Sequence, residues 1–155
     1  TLLIDKSLYA NASELLQPLV DANCEIRGDE FIVELNPIFK KAKKEDWETE
    51  YLDKIISVKL VDGVQQAIAH INQYSSGHTE SIITENNEIF KQFYQQINSA
   101  IILQNASTQF ADGSEFGFGA EIGISTDKLH VRGPVGAEHL TTFKYVIHGN
   151  GQVRP

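Results

Sequence analysis

Between Ile55 and Leu103 the chain alternates three β-branched runs with two amphipathic ones, and this alternation limits the fold more than any other feature. Ile55-Ile56-Ser57-Val58-Lys59-Leu60-Val61 reads as a strand, as do Ser81-Ile82-Ile83-Thr84 and Ala100-Ile101-Ile102-Leu103. Between the first two, Val64, Ile68, Ile71 and Tyr74 recur at helical spacing. Asp62 is the expected N-cap of that helix, Gln65 its reciprocal partner, and Ser75-Ser76-Gly77 its stop. Between the second pair, Asn86 opens a helix with Ile89, Phe90, Phe93 and Ile97 on one face. Consecutive βαβ units of this kind predict an α/β fold with a mainly parallel sheet.

Signals on either side are weaker. Thr1 to Asp5 reads as a strand, followed by a helix capped by Asn11 and Glu14 with Leu15, Leu16, Leu19 and Val20 on one face. Pro18 is tolerable only in the early turns of such a helix. Cys24 to Arg27 is a short strand candidate. Gly28 to Lys44 reads as loop with one short strand at Phe31 to Glu34. Near the end, Gly136 to Leu140 suggests a short helix, and Thr141 to Ile147 places Phe143, Tyr145 and Ile147 on one face of a strand. A final strand with no successor needs an edge to pair with, from its own sheet or from a partner subunit.

The 155 residues suffice for one domain, or a domain and a fragment of another. A net charge of −8 argues against nucleic acid as a partner, because phosphate binding relies on Lys and Arg. The run Lys40-Lys41-Ala42-Lys43-Lys44 leads directly into Glu45, Asp46, Glu48 and Glu50 and reads as a solvated face. The single cysteine, Cys24, fits a reducing, cytoplasmic setting. Beside Glu25 its thiol pKa would rise, which does not suit a nucleophile. The five histidines show no metal-ligand spacing, so no metal is expected, and His70 falls near the exposed side of its helix. No apolar run approaches the ~20 residues of a membrane span. A chain without methionine that opens on Thr1 reads as a piece of a longer one.

Asn105 to Leu140 is the candidate site region. It runs for more than thirty residues, rich in glycine and without helical or strand period. Loops longer than about 12–15 residues are usually functional or disordered. Phe110, Phe116, Phe118, Ile122, Ile124 and Leu129 give this one something to bury. Gly117-Phe118-Gly119 begins a dinucleotide fingerprint but does not finish it, because Ile122 stands where the third glycine belongs. Asn105, Ser107 and Thr108 offer side-chain donors after a strand. Arg132 offers a fork for a carboxylate or phosphate, or an ion pair to Glu121 or Glu138 that pins the loop. His78 is either a solvated loop residue or a ligand-contacting, acid/base group. Glu48 and Glu50 are either a solvated pair or carboxylates for acid/base work.

Several stretches resemble the γ-glutamyl phosphate reductase family, of the aldehyde dehydrogenase superfamily. They are Asn105-Ala106-Ser107-Thr108, Phe110, Asp112-Gly113, Phe116-Gly117, Gly119-Ala120-Glu121, Gly123-Ile124-Ser125-Thr126 and His130 to Gly136. Upstream, Trp47 to Asp53 and Ser76-Gly77-His78-Thr79-Glu80 resemble the family in the same order. The resemblance implies an NADPH-dependent reduction of an acyl phosphate in proline biosynthesis, through a cysteine thioester.

It also implies a division of labour. Residues 1–140 would be a segment of the catalytic α/β domain, including the 105–140 loop, and 141–155 an oligomerisation strand and tail of a homo-oligomer. The nucleophilic cysteine and the cofactor-binding domain would lie upstream of Thr1, which makes the chain inactive alone. Glu50 matches the glutamate that the superfamily sets against the nicotinamide ribose. His78, Asn105, Ser107, Thr108 and Arg132 fall on the substrate side. Gln109 and Glu115 stand where the family usually has arginine. The rival expectation is an assembly module without chemistry of its own.

If the strands are parallel, the positions before the first strand, at Glu50 and at His78 share one sheet edge. The loop after Asn105 then starts from the opposite edge and has to travel back.

Overall fold

A computed structural model describes residues 1–128 and 130–155. The first half contains β1 (Leu2–Asp5), a 3₁₀ turn (Lys6–Asn11), α1 (Ala12–Asp21), β2 (Glu25–Gly28), α2 (Glu30–Val33), β3 (Lys40–Lys41) and a second 3₁₀ turn (Lys44–Trp47). Then come β4 (Ile55–Val61), α3 (Gly63–Tyr74), β5 (Thr79–Ile82), α4 (Asn87–Gln96) and β6 (Ile101–Gln104). A 3₁₀ turn (Thr108–Phe110), β7 (Gly123–Ser125), β8 (Gly133–Val135) and a last 3₁₀ turn (Ala137–Leu140) follow.

The strands β1-β4-β2-β3 form one sheet in that order, parallel throughout. β5 and β6 form a second, two-stranded parallel ladder, and β7 and β8 an antiparallel hairpin. The α/β class and the parallel pairing are as expected. The single sheet is not, since among the described residues β5 forms no ladder with the first sheet.

Alternation along β4 separates the two faces of the larger sheet. Val58 and Leu60, with Ile4 and Ile26, pack on Ala12 and Leu16 of α1 and Ile32 of α2. The other face carries Arg27, Ser57 and Lys59 and is polar for a parallel sheet, whose strands are usually apolar on both sides. A second core joins α3, α4 and the small ladder through Ile68, Phe93 and Ile97, with Val64, Ile71, Ile82 and Ile102 around them.

Local capping differs from expectation in three places. Asn11 makes no side-chain cap, because α1 is entered from a 3₁₀ turn and not from extended chain; Asp5 caps that turn by accepting the Ser7 N–H at 2.9 Å. Asp62 does not cap α3; Asp5 Oδ2 accepts the Gly63 N–H at 3.1 Å, and Asp62 pairs with Lys6 at 3.3 Å. The stretch expected as a strand at Phe31 to Glu34 is helical. Asp29 Oδ1 accepts the N–H groups of Phe31 and Ile32, and this cap outweighs the β-propensity of Phe-Ile-Val. Asn86 caps α4 as expected, accepting from Glu88 at 2.9 Å and Ile89 at 3.2 Å.

The glycine-rich loop contains the β7–β8 hairpin, which its composition did not announce. Its aromatic groups stay largely exposed, at 54% for Phe110 and 42% for Phe118, contrary to the expectation that they bury; Phe118 packs instead edge-on against His139. Leu129 lies outside the described residues. Gly136 to Leu140 closes as a 3₁₀ turn. Among the described residues, 141–147 join no ladder; the Thr141 N–H only closes the preceding turn on the Glu138 carbonyl at 3.2 Å, and Tyr145 and Ile147 are 83% and 89% exposed. Among the described residues no helix is long and apolar enough to cross a membrane.

Candidate functional site

The chain gathers its chemistry at the amino ends of its parallel strands. α3 starts at the carboxyl end of β4 and runs back, so Ser75 and His78 emerge at the edge where β1 and β4 begin. Glu80, one residue into β5, accepts hydroxyl hydrogen bonds from Ser75 and from Ser99 (3.0 Å), which ties the start of β5 to the turn before β6. His78 is half-buried beside this turn, and its Nδ1 meets Thr79 Oγ1.

Glu50 reaches the same edge from the segment between β3 and β4. A buried polar network holds that segment to the sheet. Asp46, 6% exposed, accepts from Arg27 Nη1 at 2.7 Å, from Tyr51 Oη at 2.8 Å and from the Lys43 N–H at 2.7 Å. Ser57 Oγ donates to the Asp46 carbonyl at 2.9 Å and lies 2.7 Å from Tyr51 Oη. Arg27 also stacks over the Tyr51 ring at 5.0 Å. Burial by itself would raise the Asp46 pKa, but the Lys43 N–H, Arg27 and Tyr51 together hold it below its usual value. Beyond this anchor Glu48 and Glu50 are exposed, and among the described residues neither carboxylate has a hydrogen-bond partner. Leu52 sits at φ 51°, a left-handed conformation that is rare for a bulky residue and marks a constrained turn just after Glu50.

Arg132 comes to this edge as well. Its Nη2 donates to the Asn98 carbonyl at 2.6 Å and its Nη1 to Asn98 Oδ1 at 3.0 Å, where Asn98 immediately precedes the Ser99 that binds Glu80. The glycine-rich loop therefore does return across the ladder, and the fold brings Glu50, His78 and Arg132 to one edge. Among the described residues Arg132 makes neither of the ion pairs considered for it, and Glu121 accepts the Gly113 N–H at 2.8 Å.

Asn105, Ser107 and Thr108 lie at the opposite, carboxyl end of β6. Asn105 adopts φ 52°, and its amide closes a two-point pair with the Thr84 backbone, accepting at 2.8 Å and donating at 2.9 Å. Ser107 Oγ accepts the Gln109 N–H and caps a 3₁₀ turn that begins at Thr108. These three build the start of the loop and are a strand's length, roughly 13 Å, from His78. That end of the sheets also carries a cleft of about 450 Å³ beside Lys6, Asp29, Trp47, Lys59 and Asp62, whose acids are already engaged by N–H groups or by Lys6.

His70 was expected near an exposed helix face and is buried, at 6% exposure. Its ring lies between Trp47 (5.4 Å, edge-on) and Tyr74 (4.8 Å). Trp47, the last residue of the 3₁₀ turn Lys44–Trp47, covers the side of α3 that carries His70. Burial, then the charge of Lys59, push its pKa down to about 4, so it is neutral near pH 7. Cys24 is half-buried, and among the described residues its thiol meets only the Glu25 carbonyl, at 3.9 Å. Among the described residues no three potential metal ligands cluster.

No family model matches the chain. Curated relatives do, along all of it: a γ-glutamyl phosphate reductase of Caulobacter vibrioides is 60% identical, one of Bartonella henselae 59% and one of Rhodopseudomonas palustris 56%. The crystal structure of γ-glutamyl phosphate reductase from Thermotoga maritima superposes on 99% of the chain with a TM-score of 0.89 at 46% identity. Along its whole length the chain is similar to one part of the γ-glutamyl phosphate reductases. It spans 36–38% of the length of these relatives and 37% of the solved reductase.

The resemblance had pointed to Glu50, His78 and Arg132 but not to the residues that place them. Asp46, Tyr51, Ser57, Glu80 and Asn98 were missed. The signal available was polarity in the wrong place, since Arg27 and Ser57 interrupt strands that are otherwise apolar.

Proposed function

We propose that this chain is part of an NADPH-dependent reductase that converts γ-glutamyl phosphate to glutamate-5-semialdehyde, a step of proline biosynthesis. The observation that carries the proposal is identity of 54–60% along the whole chain to proteins of that name. The nucleophilic cysteine and the cofactor domain belong to the remainder of the polypeptide. Acyl phosphate, NADPH and a proton give aldehyde, NADP⁺ and inorganic phosphate, with the cofactor supplying the hydride.

Glu50 fits the cofactor. An exposed, unpartnered carboxylate on an anchored segment can accept hydrogen bonds from ribose hydroxyls. Arg132 keeps donors free beyond its two bonds to Asn98 and suits an anionic substrate group, and His78 lies on the same edge. Asn105, Ser107 and Thr108 serve the substrate side by shaping the loop that delivers Arg132. The exposed alternation of Phe143, Tyr145 and Ile147 favours a homo-oligomer built through residues 141–155.

The test is a purified full-length protein assayed for NADPH oxidation. It should depend on γ-glutamyl phosphate and release one phosphate per NADPH, while the 155-residue chain alone shows none. A well-folded full-length protein without substrate-dependent oxidation would overturn the proposal.

A further inference from the structure

Glu80 stands between the two turns that carry the candidate site at the amino ends of β5 and β6. It is half-buried, and among the described residues it forms no ion pair. Its bonds are to two hydroxyls, Ser75 and Ser99 (3.0 Å), and both fall on the same oxygen, Oε1. Ser99 is buried, at 8% exposure, so its hydroxyl is costly to leave without an acceptor.

Each hydroxyl leads to a residue of that edge. Ser99 directly follows Asn98, whose side-chain oxygen and carbonyl take the Arg132 fork at 3.0 and 2.6 Å. Among the described residues the Arg132 guanidinium has no carboxylate partner and bonds only to Asn98. The plane of the fork is therefore set by Asn98, and the place of Asn98 by the turn that Ser99 fastens. On the other branch, Ser75 Oγ accepts the Gly77 N–H at 2.9 Å, and Gly77, at φ 76°, leads straight into His78. The two turns also meet through backbone: the Gly77 and His78 carbonyls accept the Ala100 and Ile101 N–H groups at 2.8 and 3.0 Å. Those bonds set the register of the ladder. Glu80 adds a tie between the side chains of the two turns, through one oxygen atom.

We infer that Glu80 is a positioning residue for the substrate side of the site: through Ser99 and Asn98 it holds the guanidinium of Arg132, and through Ser75 it holds the turn that carries His78. The inference rests on the reading that Arg132 binds an anionic group of γ-glutamyl phosphate. What Glu80 supplies is an acceptor for two hydroxyls, not a counter-charge for a cation. A carboxamide oxygen in the same place can accept both bonds. Glu50 lies on a different segment, anchored by Asp46, so the cofactor side is independent of Glu80.

The test uses the full-length protein and two readouts: steady-state kinetics, and the rate at which phenylglyoxal modifies Arg132, followed by mass spectrometry of the peptide that contains it. Glu80→Ala should raise KM for γ-glutamyl phosphate about tenfold, the upper value of one lost hydrogen bond, and leave KM for NADPH unchanged. Modification of Arg132 should quicken about two- to threefold, the lower value. Glu80→Gln, which keeps the acceptor and loses the charge, should restore most of both. A general structural role instead raises both KM values alike, and a role for the charge leaves Glu80→Gln no better than Glu80→Ala; either result would overturn the inference. If Glu80→Ala fails to fold, Ser99→Ala, which removes one of the hydroxyls, is read by the same KM split and the same Arg132 reactivity. A well-folded wild-type protein without turnover would sink the functional reading alone. Arg132 reactivity then decides: a faster rate in Glu80→Ala supports the positioning role, and an unchanged rate overturns it.

Discussion

Asp46 and Glu50 sit on one segment and do opposite work. Asp46 is spent on the scaffold, with Arg27, Tyr51 and the Lys43 N–H on its two oxygens. Glu50 is left free at the surface. Asp46→Asn keeps the shape but removes the charge opposite Arg27 in a nearly buried pair, and breaking such a pair leaves an uncompensated cation. It should destabilise the protein by about 2 kcal/mol in urea denaturation, and in the full-length protein it should also raise KM for the cofactor. Glu50→Gln should leave the urea midpoint unchanged and raise the cofactor KM by about tenfold, the value of one charge-assisted hydrogen bond. Equal cofactor KM in wild type and Glu50→Gln would remove Glu50 from the site. The sequence made Glu50 visible only through resemblance. Asp46 looked like part of a solvated charge run, because nothing local reveals that Arg27, from a distant strand, lies opposite it.

At the level of elements, the clean periodic stretches were legible. β4 and α4 form where their patterns put them, because each side of the pattern is buried against the surface the pattern implies. The errors fall where one side chain redirects the backbone. Asp29 converts an apparent strand into α2, and its second oxygen takes the Leu60 N–H at 2.8 Å, so one carboxylate joins a helix start to β4. The tight return from β2 into α2 also needs Gly28. A Cβ there would stand 2.5 Å from Cγ2 of Ile32, which is fully buried and cannot yield. Gly28→Ala should therefore cost about 2 kcal/mol by chemical denaturation, from overpacking. A neutral result would mean that α2 shifts freely on the sheet.

For the whole molecule, two predictions follow from exposure and charge. Phe143, Tyr145, Val146 and Ile147 hold their apolar side chains in solvent, which a stable monomer rarely tolerates over a contiguous patch. Deleting 141–155 from the full-length protein should lower the mass seen by light scattering to that of one chain, and an unchanged oligomer would place the interface elsewhere. The second concerns acid. His70 has a folded pKa of about 4 against 6.5 when exposed, so between these values the unfolded state binds more protons. The stability that His70 contributes is complete above pH 6.5 and is lost as pH falls toward 4. Asp5, Glu25 and Asp46, all held below their usual values, add a second loss at lower pH. Thermal melts should thus fall in two stages on acidification, and His70→Phe should abolish the first.

The sequence by itself determined the α/β class, the parallel strands, the helices with clean stripes and the shared edge of Glu50 and His78. All of these follow from local periodicity and chain order. Only the tertiary structure decided that the sheet divides in two, that Asn98 holds Arg132, that Asp46 anchors the approach to Glu50, and that His70 is buried. Each of these depends on which residues meet across long separations in the chain. Hydrophobic period says which side of an element is buried, but a polar contact between distant elements leaves no periodic trace along the chain.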